Sequence, residues 1–366
     1  MTNKLTFHLF LLLSFILLLS CKPKPDLAIG TPQIKAGTAK ITGKIMSGNE
    51  LYKNDGSVEI FVSHPVSGEL FKYTTAIDRS GKFSIDVDVE TDVSLIGLYT
   101  SVKPYNSLLV KVRSGEVTNI DITYNLNLDI EDVQTTPEMN KYDMMRSLPV
   151  INQMVGVYDL TPEPQIALYD KRPEAYTNFL KARVSEKLEI LNKDSLISKE
   201  LKQILTKDFT IWRYKVGVFN YEGSMKFNFR NMVKDSTTKM PEIQKIDSSY
   251  FAFLKDFNLN DPEYLVCSNF ADFQNEILKN KTLALPEIAE LDIPTWLTEV
   301  KAKLSSLIGF KEGQYYDVLA ANAYGRQLII DKKPLTARQK KNISDYWKEG
   351  EIGKILLRKN QQGTKK

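Results

Sequence analysis

The sequence changes its hydrophobic period once, and that change constrains the fold more than any single motif. From Thr38 to about Tyr124, apolar residues recur at every second position between short turn signals. Ile41, Gly43 and Ile45 alternate with Lys40, Thr42 and Lys44. Val58 to Val62 follows the turn Lys53-Asn54-Asp55-Gly56, and Glu69 to Thr74 follows Ser67-Gly68. Asp78-Arg79-Ser80-Gly81 feeds the next strand, in which Phe83, Ile85, Val87 and Val89 face one way and Asp86 and Asp88 the other. Leu108 to Val112 and Val117 to Tyr124 flank a last turn, Arg113-Ser114-Gly115-Glu116. Short alternating strands with glycine-bearing turns predict a small antiparallel β-sandwich over residues 38–127.

After about Asp129 the spacing becomes helical. Tyr176, Phe179, Leu180, Val184, Leu188 and Leu191 make one stripe, and Leu201, Ile204, Leu205, Phe209 and Trp212 make another behind Ser195 or Ser198. Asp261-Pro262-Glu263 reads as a helix start. Thr336 to Gln339 has the form of a capping box opening a last helix that presents Ile343, Tyr346, Trp347 and Ile352. A mostly α-helical domain is therefore predicted over residues 130–360, followed by a disordered basic tail, 361–366. Hydrophobic residues at 42% of the chain suffice for two such domains with real cores. Trp212, Trp296 and Trp347 read as core at this spacing. The aromatic stretch Phe219 to Phe229 could face a partner instead.

The chain's beginning carries an address. One lysine precedes Phe10 to Leu19, an apolar run shorter than the ~20 residues a membrane-crossing helix needs. The run ends in Leu18-Leu19-Ser20-Cys21, which resembles a bacterial lipobox. That resemblance implies cleavage before Cys21 and acylation of its sulfur and new amino group, with residues 1–20 as signal peptide. Residues 21–37, rich in Lys and Pro, read as a tether. The expected partner is then a lipid bilayer, held through Cys21. The expected location is the outer membrane, facing the periplasm, because Lys22-Pro23-Lys24-Pro25 offers neither an acidic export signal nor an aspartate next to the cysteine.

Composition limits the chemistry. Cys21 and Cys267 are the two cysteines, so lipidation of the first leaves the second unpaired and no C-x-x-C exists. His8 leaves with the signal peptide, and His64 remains. One histidine and one thiol cannot by themselves build a zinc site, and a Cys–His couple needs Cys267, read as lying within a helical stretch, to meet His64. Loss of the signal peptide, whose one charge is Lys4, takes the net charge from +4 to +3. That mild balance argues against nucleic-acid binding, and the basic run Leu356 to Lys366 reads as a solvated end. Asp86 and Asp88 likewise read as a solvated face. No catalytic residue, metal or cofactor is expected.

The order of lipobox, small sandwich and helical region resembles the N-terminal part of TlpA-like thiol–disulfide lipoproteins. The matching stretches are Ile41 to Ile45, Asp78 to Val87 and above all Pro334 to Asn360. In that family a segment like the last leads to a thioredoxin domain whose W-C-x-x-C performs dithiol exchange. No such motif is present here, and one thiol lacks a resolving partner, so the redox activity carries over to no residue. The expectation is a non-enzymatic envelope lipoprotein that docks or senses, possible partners being envelope proteins. Glycan or small-ligand binding through the sandwich, with Tyr99, Tyr105 or Tyr124 as stacking surfaces, is the alternative.

Overall fold

The computed structural model describes residues 29–47, 56–103, 107–156, 166–235 and 237–363. Cys21, the lipobox residues Leu18, Leu19 and Ser20, residues 21–28 of the expected tether, and Tyr105 lie outside the described residues. Residues 29–37 correct the tether: Ile29 is buried, its amide is held by Glu200, and the first strand already begins at Ile34.

Eight strands come first: β1 (Ile34–Ser47), β2 (Ser57–His64), β3 (Glu69–Ala76), β4 (Lys82–Thr91), β5 (Val93–Thr100), β6 (Ser107–Arg113), β7 (Val117–Tyr124) and β8 (Ile130–Thr136). They form two four-stranded sheets, ordered β4-β1-β7-β8 and β3-β2-β5-β6. The alternation places Ile41, Ile45, Val87, Ile120 and Ile122 of the first sheet in one buried cluster with Val58, Ile60, Ile96, Leu98 and Val110 of the second. Two corrections follow. β1 runs parallel to β7, so the strands are not wholly antiparallel, and alternation alone says nothing of strand direction. β8 extends the first sheet beyond residue 127, ending at Thr136. Gly43 is required where β1 crosses β7, because a Cβ there would overlap the carbonyl oxygen of Ile120 and the ring of Phe83.

The helices follow: α1 (Lys141–Val155), α2 (Pro173–Lys193), α3 (Lys199–Gly217), α4 (Tyr221–Met232), α5 (Phe270–Lys279), α6 (Ile293–Ile308), α7 (Gln314–Ile329), α8 (Ala337–Trp347) and α9 (Glu351–Gly363). The caps work as their chemistry requires. Ser198 accepts from the amide of Leu201, and Thr336 and Gln339 form a reciprocal capping box. Asp261 caps only a short 3₁₀ segment, Pro262–Val266, so Cys267 stands just past a turn rather than inside a helix. The expected last helix is broken in two: Lys348 sits at φ 50°, separating α8 from α9.

α9 corrects the disordered tail over residues 361–363 and the solvated basic end over residues 356–360, while residues 364–366 lie outside the described residues. The helix continues through Gly363, and its stripe Ile352, Ile355, Leu356 and Lys359 is buried. Trp296 is fully buried in the helical core and donates to the carbonyl of Pro286, while Trp212 and Trp347 pack against that core half-buried. Ile29, Val66 and Val93, from the strand-bearing part, belong to the same buried cluster as the helices. Apolar packing therefore continues across the junction between sheets and helices.

Candidate ligand cleft and the seam that builds it

The hairpin joining β2 to β3 is closed by the pair His64–Glu69, and its turn, Pro65-Val66-Ser67-Gly68, is buried inside the helices. A buried turn must have its backbone groups satisfied by something other than water. Here Glu90, itself fully buried at the end of β4, accepts from the amides of Val66 and Ser67 at 2.8 and 3.0 Å. Asn322 of α7 donates from its amide nitrogen to the carbonyls of Pro65 and Val66 at 2.7 and 3.2 Å. Gly325 of α7 lies so close to Ser67 that a Cβ would enter its carbonyl oxygen. Gly68 closes the turn at φ 77°, donating to the carbonyl of His64.

His64 is wholly buried where the turn begins. Its Nε2 lies 2.9 Å from the carbonyl oxygen of Asp88, an acceptor only, so Nε2 carries the hydrogen. Nδ1 faces the Lys359 ammonium at 3.1 Å and the Glu69 carboxylate at 3.8 Å. Lys359 also donates to Glu69 at 2.7 Å and stands over the ring of Phe71. Burial alone would raise the Glu69 carboxyl, but hydrogen bonds and charge from His64 and Lys359 bring it down to about 2. Arg358 and Gln362 reach Asp88 at 3.7 and 3.1 Å, and Glu351 takes the amide of Ala36 at 2.7 Å. Asp88 is thus covered by α9 rather than solvated, whereas Asp86 is exposed.

The Cys–His couple does not form. Ser63 and Ser268, the neighbours of His64 and Cys267, do meet, through a 3.2 Å hydrogen bond. The two reactive side chains diverge from that contact. Cys267 Sγ is directed at the carbonyls of Glu263 and Ile204, and burial pushes its thiol well above the ordinary range. Tyr124 is buried with its hydroxyl on Thr100, so it offers no stacking surface, and Tyr99 packs edge-on against Phe61.

One face of α7 holds the hairpin turn, and the adjoining face floors a cleft of about 440 Å³. Ala323, Arg326 and Gln327 form the floor. The end of α5 and the loop 280–289 form one wall, and Asp331 and Lys333 stand at the rim. Asn280 caps the wall's tight turn by accepting from Thr282 and Leu283, and Lys303 braces it from outside through the carbonyl of Ala284. Ala284 and Ala289 both sit at positive φ, 46° and 32°, in a region alanine rarely adopts. Ala289 is held there by Gln339, which donates to its carbonyl while exchanging hydrogen bonds with Gln327. Lys279, Lys281, Arg326 and Lys333 face Glu287 and Asp331 across the opening, an excess of positive charge. Among the described residues no ion pair joins Arg326, Lys281 or Lys333 to any carboxylate. A second opening, of about 460 Å³, lies between the start of α2 and residues 244–253 and mixes Arg172 and Lys245 with Glu174 and Asp247. Among the described residues no helix is long and apolar enough to cross a membrane, and no group of three or more His, Cys, Asp and Glu is placed to hold a metal.

Sequence reasoning passed over Glu90, Asn322, Arg326 and Lys359. Lys359 could have been found, since it continues the i, i+3, i+4, i+7 stripe of α9; Glu90 looks like one more outward position of β4. Neither a scan against protein-family models nor a search of curated proteins returns a match to this chain.

Proposed function

We propose that this chain is a lipid-anchored lipoprotein of the bacterial envelope whose folded body is a non-catalytic docking and binding module. Leu18-Leu19-Ser20-Cys21 supports the anchor, with acyl chains on Cys21 and the outer membrane, facing the periplasm, as its place. The body is an accessory region of the kind found in TlpA-like lipoproteins, a reading supported by Pro334 to Asn360 together with the order of strands before helices. We read the two sheets as stacked face to face in a sandwich, because their inward residues share one buried cluster.

The open cleft on α7 is the observation that carries the binding half of this reading. Ligand sites are concave and carry convergent polar groups; the cleft is concave, and charged and amide side chains share its lining with Leu285, Pro286 and Ile288. Small-ligand binding accordingly moves from the sheets, where Tyr124 is buried, to the helical side. Radiolabelled palmitate should mark the purified chain and fail to mark the Cys21→Ala variant. Crosslinking in intact envelopes should capture a recurring partner, and an unlabelled, uncrosslinked chain would sink the proposal.

A further inference from the structure

We propose that the cleft floored by α7 binds a small organic anion, an oxyanion carried on an apolar body. This rests on reading the body as a binding module and names the chemistry of what it binds. Arg326 is the deciding residue. It is half-buried, and among the described residues its guanidinium has no ion pair, hydrogen bond or ring contact. A guanidinium presents five donors in a fixed fork, and one that is unpaired at the floor of a cleft is open to a planar oxyanion. Elsewhere in this molecule cations near carboxylates are paired: Lys207 meets Asp261 and Glu263, Arg146 meets Asp194, and Lys359 meets Glu69.

The placement of Arg326 is rigid. Gly325, its neighbour, is pressed against the buried hairpin turn, and Asn322 one turn earlier is bonded to it. Lys281 and Lys333 also line the cleft and add unpaired positive charge, which draws an anion in and screens with salt. Leu285 and Ile288 line the same space and favour an apolar body over a bare inorganic ion. Planar carboxylate and phosphate both match the fork of a guanidinium, so the shared chemistry is the oxyanion.

The test uses the purified full chain in lipid nanodiscs, with empty nanodiscs as the blank. Fluorine NMR would follow saturable broadening of para-trifluoromethylbenzoate and para-trifluoromethylphenyl phosphate, with para-trifluoromethylbenzyl alcohol as the neutral counterpart. Either anion is expected to bind saturably and the alcohol at least about tenfold more weakly. The stronger of the two anions identifies the group the cleft prefers. Arg326→Gln should weaken the anion by at least about tenfold. The exposed Lys333→Gln, a substitution the fold tolerates, should weaken it by up to about fivefold. Arg172→Gln, in the second opening, should leave it unchanged. Equal binding of the alcohol, no saturable binding of either anion, or binding indifferent to both cleft variants would overturn the proposal. Such a result beside intact palmitate labelling would remove the cleft and leave the anchored docking module standing. Loss of labelling with anion binding intact would do the reverse.

Discussion

Lys359 occupies a helix position that Ile352, Ile355 and Leu356 mark as inward, and its charge is matched there by the Glu69 carboxylate and the His64 ring. Because the Glu69 carboxyl is depressed to about 2 from 4.5, its contribution is complete above about pH 4.5 and is lost as pH falls through about 2. Urea unfolding across that window should show stability declining with acid. In Lys359→Met the acid-dependent part should shrink, because one of the two groups that depress the carboxyl is gone. A second residue carries the hairpin turn. Glu90→Ala would orphan two buried amides, Val66 and Ser67, and should cost about 2–4 kcal/mol in urea unfolding. An unchanged unfolding midpoint would mean that water replaces the carboxylate without loss. Glu90 itself was illegible in the sequence: it follows Asp86 and Asp88 on the polar side of an alternating strand, and only the distant Val66 and Ser67 explain its burial.

Among the elements, the strands were the most legible. Alternation placed β2, β4 and β7 correctly, since a two-residue period has one solution when one face is buried. It could not reveal that β1 lies parallel to β7, a matter of partners far apart in sequence. The caps at Ser198 and Thr336 were readable because the hydrogen bonds that define them lie within three residues. The break between α8 and α9 was not, because Lys348 adopts a backbone conformation its side chain does not favour. The α7 cleft had a faint signal. Between Asp317 and Arg326 the helix carries no charge, which marks it as central and makes the arginine conspicuous. α7 and the hairpin turn are so closely fitted that Gly325→Ala should destabilise the fold by about 1–3 kcal/mol in chemical denaturation. Wild-type stability of that variant would show that the turn can withdraw.

For the whole molecule, the predicted division at residues 127–130 described where the period changes, not where the structure comes apart. The hairpin turn lies inside the helices, α9 lies along β1 with Glu351 on Ala36, and Glu200 of α3 takes the amides of Ile29 and Gly30. Units joined by so many buried contacts should melt together. Calorimetry should give one transition whose calorimetric and van't Hoff enthalpies agree, while two resolved transitions would restore the picture of independent halves. β1 adds a mechanical consequence. It is the first strand after the N-terminal segment, flanked on both sides by hydrogen-bonded neighbours. An anchor at Cys21 would load the hold of Glu200 on Ile29 and Gly30 first and then pull this strand lengthwise, where two ladders would have to shear at once before the body yielded.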